Sequence, residues 1–276
     1  MNNHDKILDK DLIEDTSMWT LAMQFSTTGV EVAAYSEIED NSLIYRTLPL
    51  VIDGTTPLGA IEDAVYENPF LLREFRRTFV IVEPEASMLT PSEADTAAAA
   101  RIAAETLGHD GREWTADDSG ARNALIAYGF ADGFRRFVRR TFGNDVTPMS
   151  HLAVLSRYFL RKVQRGKPAG MLVNLRKGAI DVIVVEGGNL LMANTFTCRE
   201  AADMAYYVMA CRRFTAMEPD ADLYLCGDIE LREPLAAMLR RFLSSVKPLI
   251  FPPAMFRVGR EAMQVPFSLI VSPICE

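Results

Sequence analysis

The stretch MLVNLRKGAIDVIVVEGGNLLMANTFT, residues 171–197, reads as three short strands in succession. Met171–Leu175, Ile180–Val185 and Leu190–Thr197 are apolar runs of strand length. Gly187-Gly188-Asn189 parts the last two, and two glycines supply the positive φ that a tight hairpin requires, so it reads as a turn and not as a phosphate cradle. A helix, Glu200–Met217, follows at once behind Thr197-Cys198-Arg199-Glu200, which has the form of a capping box. Met204, Tyr207, Val208, Cys211 and Phe214 fall on one helical face. A strand, Asp222–Cys226, then ends in Gly227-Asp228.

The same order opens the chain with Trp19–Phe25, Val30–Tyr35 and Leu43–Leu50, a helix, and the strand Thr78–Glu83. In the first strand Trp19, Leu21, Met23 and Phe25 alternate with Thr20, Ala22 and Gln24, the period of a half-buried strand. Ser26-Thr27-Thr28-Gly29 closes its hairpin, with Gly29 read as the positive-φ residue. Thr56 caps the helix and Pro57 occupies its first turn. Asp53-Gly54 reads as a turn.

Between the units, Thr90-Pro91-Ser92-Glu93 has the form of a capping box opening an alanine-rich helix that stops near Gly108. His109–Gly120 reads as an exposed loop, Asn123–Tyr128 as a strand, and Phe130–Phe142 and Ser150–Val163 as helices. Gly166-Lys167-Pro168 marks a boundary. This divides the chain into a polar tail (1–15), a first subdomain with a helical insertion (16–165) and a second subdomain (166–276). In the second, Leu231–Leu243 reads as a helix with Leu231, Leu235, Met238, Leu239 and Phe242 inward. Leu249–Phe251 and Val265–Val271 read as strands.

With 276 residues, the chain has enough length to bury a core without disulfides or metal. Its net charge of −8 argues against general nucleic-acid binding. Cys198, Cys211, Cys226 and Cys275 form no CxxC pair, and His4, His109 and His151 lie at no ligand spacing from them, so they read as reduced packing residues. The thirteen methionines read as core filling. Met1–Asp15 lacks the apolar region of a signal peptide, and no apolar run approaches the ~18–20 residues of a membrane span. These features describe a soluble, cytoplasmic protein. Phe134-Arg135-Arg136-Phe137-Val138-Arg139-Arg140 places four arginines on one helical face. Arg212-Arg213 and Arg240-Arg241 repeat the style elsewhere, which favours a solvated face over a dedicated anion site. Ser150-His151 and Ser156 match no hydrolase motif.

A three-stranded meander followed by alternating helix and strand, present twice, resembles the actin-like ATPase superfamily of actin, heat-shock chaperones and sugar kinases, an α/β architecture of duplicated ribonuclease H-like units. The tail, Val265-Pro266-Phe267-Ser268-Leu269 and Ile274-Cys275-Glu276, taken with the spacing of the units, resembles a Bacteroidetes-type family of actin-like ATPase fold with no assigned function. The superfamily resemblance implies that ATP-hydrolysing members hold phosphate at the first hairpin of each unit, using backbone N–H groups, glycines and an aspartate that orients Mg²⁺. Here the first hairpin offers Ser26, Thr27, Thr28 and Gly29 but no carboxylate. The second offers Arg176, Lys177 and Gly178, with Asn174 near the place of an acid and Asp181 displaced into the strand. Arg176 and Lys177 read as a solvated tip, with attraction of a phosphate as the other reading. Gly227 and Asp228 stand where the resemblance puts the adenosine-contacting turn, and the same pair suits any strand-to-helix connection equally.

The expectation is therefore a non-catalytic protein-binding or assembly module with degenerate phosphate loops, without cofactor or metal, whose partner is a protein. The alternative is a divergent ATPase or kinase holding ATP and Mg²⁺ between the subdomains on those nine residues. A third reading is an adaptor resembling the actin-like members of pilus and secretion assemblies, docked on a membrane protein's cytoplasmic tail.

Overall fold

All seven residues of the first strand, β1 (Trp19–Phe25), are buried, the even-numbered ones as deeply as the odd. The half-buried reading is thus corrected: β1 is central and covered on both faces. The computed structural model describes residues 13, 15–36, 38–163, 169–249 and 264–275. In chain order, β1 is followed by β2 (Gly29–Ser36), β3 (Ile44–Pro49), α1 (Pro57–Tyr66) and β4 (Arg77–Val82). Then come β5 (Ala86–Pro91), α2 (Thr96–Leu107), β6 (Arg112–Asp118), β7 (Ala124–Ala131), α3 (Phe134–Phe142), the short β8 (Met149–Ser150) and α4 (His151–Val163). The second half holds β9 (Ala169–Arg176), β10 (Ala179–Glu186), β11 (Asn189–Thr197), α5 (Ala201–Phe214), β12 (Asp222–Gly227), α6 (Ile229–Leu239), β13 (Val246–Pro248) and α7 (Phe267–Val271).

Two five-stranded sheets run in matching order, β3-β2-β1-β4-β8 and β11-β10-β9-β12-β13. In each, an antiparallel meander is extended by parallel strands, β4 beside β1 and β12 beside β9. The two five-stranded sheets and the helices packed on them stack as five layers. Phe25, Val30 and Val80 pack outward under α1 and α3 through Ile61, Val65, Phe134 and Phe137. Val173, Val184 and Leu225 pack under α5 and α6 through Met204, Val208, Leu235 and Leu239. Between the sheets lie α4 and α7, whose Leu152, Leu155, Phe159, Phe267 and Leu269 meet Ala22 and Ile81 from one sheet and Leu172 and Ile183 from the other. Each fully buried Leu, Ile, Val, Met or Phe among these contributes about 1.5–3 kcal/mol of transfer free energy.

Several expectations are corrected. Thr90-Pro91 ends β5 and opens no helix; Asp95 caps α2 instead, accepting from Ala98 N at 2.7 Å. Proline is tolerated there because β5 is an edge strand of the third sheet, order β5-β7-β6. The expected loop at 109–120 contains β6, so the segment read as a helical insertion carries a three-stranded sheet with α2 packed on its alanine face. Residues 130–131 belong to β7, and α3 starts only at Phe134. Glu200, not Thr197, caps α5, in a box with Asp203. Phe242, read as inward, and Phe214, read on the apolar face of its helix, are exposed. In place of the strand at 265–271 stands α7, and the last strand among the described residues is Val246–Pro248. Gly166-Lys167-Pro168 and residues 250–251 lie outside the described residues, as does the tail 1–15 except Ile13 and Asp15. Ile13 is buried in the first sheet's outer core.

Candidate functional site

Because the sheets share one order, the first hairpin of each unit and the turns after β4 and β12 come to the same end of their sheets. The β1–β2 tip closes on itself. Ser26 Oγ accepts from Thr28 N at 3.2 Å and from Gly29 N at 3.1 Å and lies 3.0 Å from Gly29 O. The amides that would face a phosphate thus point at a side chain of the turn. Gly29 has no positive φ, contrary to the sequence reading; glycine is required because a Cβ would lie 2.9 Å from Leu48 O. Thr27 and Thr28 are exposed.

The β9–β10 tip divides into two parts. Lys177 and Gly178 form an exposed turn, Gly178 at φ 81°. Arg176 is not a solvated tip residue. Its Nε and Nη2 hold the two Asp181 oxygens at 2.9 Å each, a bidentate pair. Its Nη1 crosses to Glu83 Oε1, just past the end of β4. Asp181 is completely buried and also meets His151 Nε2 at 3.1 Å, Asn174 Nδ2 at 2.8 Å and Thr195 Oγ1 at 2.7 Å. Burial alone would lift its pKa, but the charges of His151 and Arg176, with their hydrogen bonds, hold the carboxyl far below the usual carboxylate range. Both ring nitrogens of His151 are engaged, Nδ1 lying 3.3 Å from Val82 O, so neither is free to serve as a base.

On the first unit's side, Gln24 Nε2 donates to Glu31 Oε2 and Glu83 Oε2, each at 3.2 Å. Ser268 of α7 donates to Gln24 Oε1. Tyr45 donates to Glu31 Oε1 at 2.8 Å. Burial pushes the Glu31 carboxyl up, as does the Glu83 charge, against the Tyr45 hydrogen bond. Burial and then Glu31 push the Tyr45 phenol up as well. One polar network therefore runs from β1, β2, β3 and β4 through α4 and α7 to β9, β10 and β11.

Gly227 sits at φ 84°, and a Cβ there would fall 2.1 Å from Leu175 O. The turn is closed against β9, with Asp228 N donating to Leu175 O at 2.8 Å and the Asp228 side chain capping α6 through Glu230 N. Of the nine candidate residues only Arg176 enters the network. Asn174 and Asp181, noted at the second hairpin in the sequence, belong to it too, whereas Gln24, Glu31, Tyr45, Glu83, His151, Thr195 and Ser268 were not singled out by sequence reasoning as site residues. The available signal was a polar residue inside an apolar strand, as Gln24 is in β1 and Asp181 is in β10. Among the described residues, no group of three or more His, Cys, Asp or Glu side chains is placed to hold a metal ion, and all four cysteines are buried and free. No helix among them is long and apolar enough to cross a membrane.

No curated protein matches the sequence. Among solved structures, a Bacteroides thetaiotaomicron protein with an actin-like ATPase fold and unknown function is similar at a TM-score of 0.67 and 22% identity, over 85% of this chain and 91% of that one. The PilM–PilN type IV pilus biogenesis complex gives a TM-score of 0.61 at 13% identity, over 96% of this chain and 100% of that one. The fold is the actin-like ATPase fold. The family described as "Protein of unknown function (DUF3822)" matches residues 9–246, and this chain belongs to it.

Proposed function

We propose that this chain is a non-catalytic module on an actin-like fold that works by binding another protein within an assembly. One observation carries the reading: the Arg176 guanidinium joins Asp181 of its own hairpin to Glu83 of the other unit. In nucleotide-hydrolysing members of the superfamily the space between the hairpins serves phosphate and metal. Here a magnesium ion would meet a cation already holding both carboxylates, and a phosphate would have to break a largely buried ion pair to gain the same guanidinium. Removing a partner from such a pair costs about 3–5 kcal/mol. The Ser26 turn, whose amides are internally satisfied, and the closed Gly227 turn support the same conclusion. PilM, described in complex with PilN in pilus biogenesis, gives a precedent for this fold in partner binding.

Calorimetry with ATP and Mg²⁺ at millimolar concentration tests the reading. The expected result is no saturable heat, and phosphate release no faster than from heat-denatured protein. Saturable binding, or hydrolysis above that control, overturns it in favour of a divergent nucleotide enzyme.

A further inference from the structure

Helices α5 and α6 lie side by side on the outer face of the second sheet, sharing one apolar cluster. Because β12 runs parallel to β13, and α5 leads into one while α6 leads into the other, both helices finish at the same end of that sheet. There each carries the same triplet, Arg212-Arg213-Phe214 and Arg240-Arg241-Phe242. The last two residues of each triplet are disposed alike. The first arginine of each folds back on its own unit. Arg212 is buried and donates to the carbonyls of Glu218, Pro219 and Ala221, and Arg240 pairs with Glu233 at 2.8 Å. The second arginine and the phenylalanine turn to solvent. Phe214 and Phe242 are 80% and 71% exposed, the highest values for any large apolar side chain among the described residues. Arg213 and Arg241 are exposed and have no ion-pair partner among them.

The fold does not need these aromatics. The inward stripe of α5 is complete with Met204, Val208 and Cys211, and that of α6 with Leu235, Ala236 and Leu239. Further along α5, Tyr206 is 68% exposed, eight residues before Phe214 and therefore on the same face. Its ring is held edge-on by Tyr207, which in turn stacks on Phe196 at 4.6 Å. Exposed aromatics beside arginines without an ion-pair partner have the composition of interface cores and hot spots.

We infer that the α5–α6 surface around Phe214 and Phe242 docks a protein segment whose apolar anchors are flanked by carboxylates. The inference deepens the protein-binding reading and rests on it. Charge decides the occupant. A second copy related by a two-fold axis through this end would set Arg213 and Arg241 against their own equivalents. An anionic lipid surface would meet the exposed Glu218 and Asp220 in the loop between α5 and β12, on a chain of net charge −8. A segment with discrete carboxylates can reach the two guanidiniums and place apolar side chains on the two rings.

The test is selection of a displayed library of random 16-residue peptides on the full chain, with F214S/F242S as the comparison protein. Both positions are exposed, so the variant retains the wild-type melting temperature. The expected winners carry bulky apolar residues with Asp and Glu in excess of Lys and Arg, and bind the variant at least tenfold more weakly. Basic winners, or no enrichment, overturn the inference. So does flotation with phosphatidylcholine–phosphatidylglycerol vesicles, or dimerisation in sedimentation, that the variant abolishes. Peptides that bind wild type and variant equally would discard this surface while leaving the protein-binding reading standing.

Discussion

The two five-stranded sheets follow one order, yet they bring opposite chemistry to the end they share. The first sheet presents neutral Gln24 between two acids, Glu31 and Glu83. The second presents a cation, Arg176, clamped by its own Asp181. Their hairpin tips differ in the same way. Ser26 satisfies the first tip from within, while the second sends its arginine across to the other half. Duplication of a scaffold therefore did not duplicate a site. The halves are unlike, and each polar set completes the other.

That contrast breaks most readily at Arg176. R176M leaves Glu83 without its cation and Asp181 without its bidentate partner. It should lower the unfolding free energy by about 3–5 kcal/mol, read by urea denaturation at pH 7. A loss below about 1 kcal/mol would mean that the junction is not held by charge. Ser26, whose work is confined to its own turn, should matter far less. S26A is expected to cost about 0.5–1.5 kcal/mol in the same assay, and a loss as large as that of R176M would show that the first tip also bears on the junction.

The smallest effect is a slope with pH. Glu31 titrates above its ordinary value of 4.5 in the folded chain, so the folded state holds that proton more tightly than the unfolded state does. Its contribution to stability falls as pH rises from 4.5 through the folded value, and E31Q should gain on wild type across that window. Asp181 is displaced the other way from 3.8. Its contribution is full above 3.8 and is lost as pH falls below it, so the deficit of D181N should shrink only on that acid side. Denaturation series from pH 3 to 8 read both signs; parallel curves would remove the contrast.

The meander strands were legible because each is a short apolar run bounded by turn residues. The fold followed from their repetition. What escaped was context. Pro91 suggests a helix start until β7 is known to leave β5 at an edge. Glu113, Asp117 and Asp118 disguise β6 as a loop. Val265–Val271 is a short apolar run, which periodicity alone cannot assign to strand or helix. The nine candidate residues were chosen as hairpin and turn positions, and the sequence does place them at one end. Their partners were hidden because Gln24 reads as the polar face of a half-exposed strand until the α4–α7 layer covers it. Nothing local to Arg176 points to Glu83, 93 residues upstream.

The bond from Ser268 to Gln24 joins residues 244 positions apart. During synthesis at roughly 5–20 residues per second, α7 leaves the ribosome roughly 12–50 s after β1 does. Until then the Gln24 carbonyl in β1 lacks its Ser268 donor, and the layer between the sheets lacks one of its two helices. The amino-terminal half of the nascent chain therefore has a period in which its inner face is open to chaperones or to mispairing, and the emergence of α7 ends it.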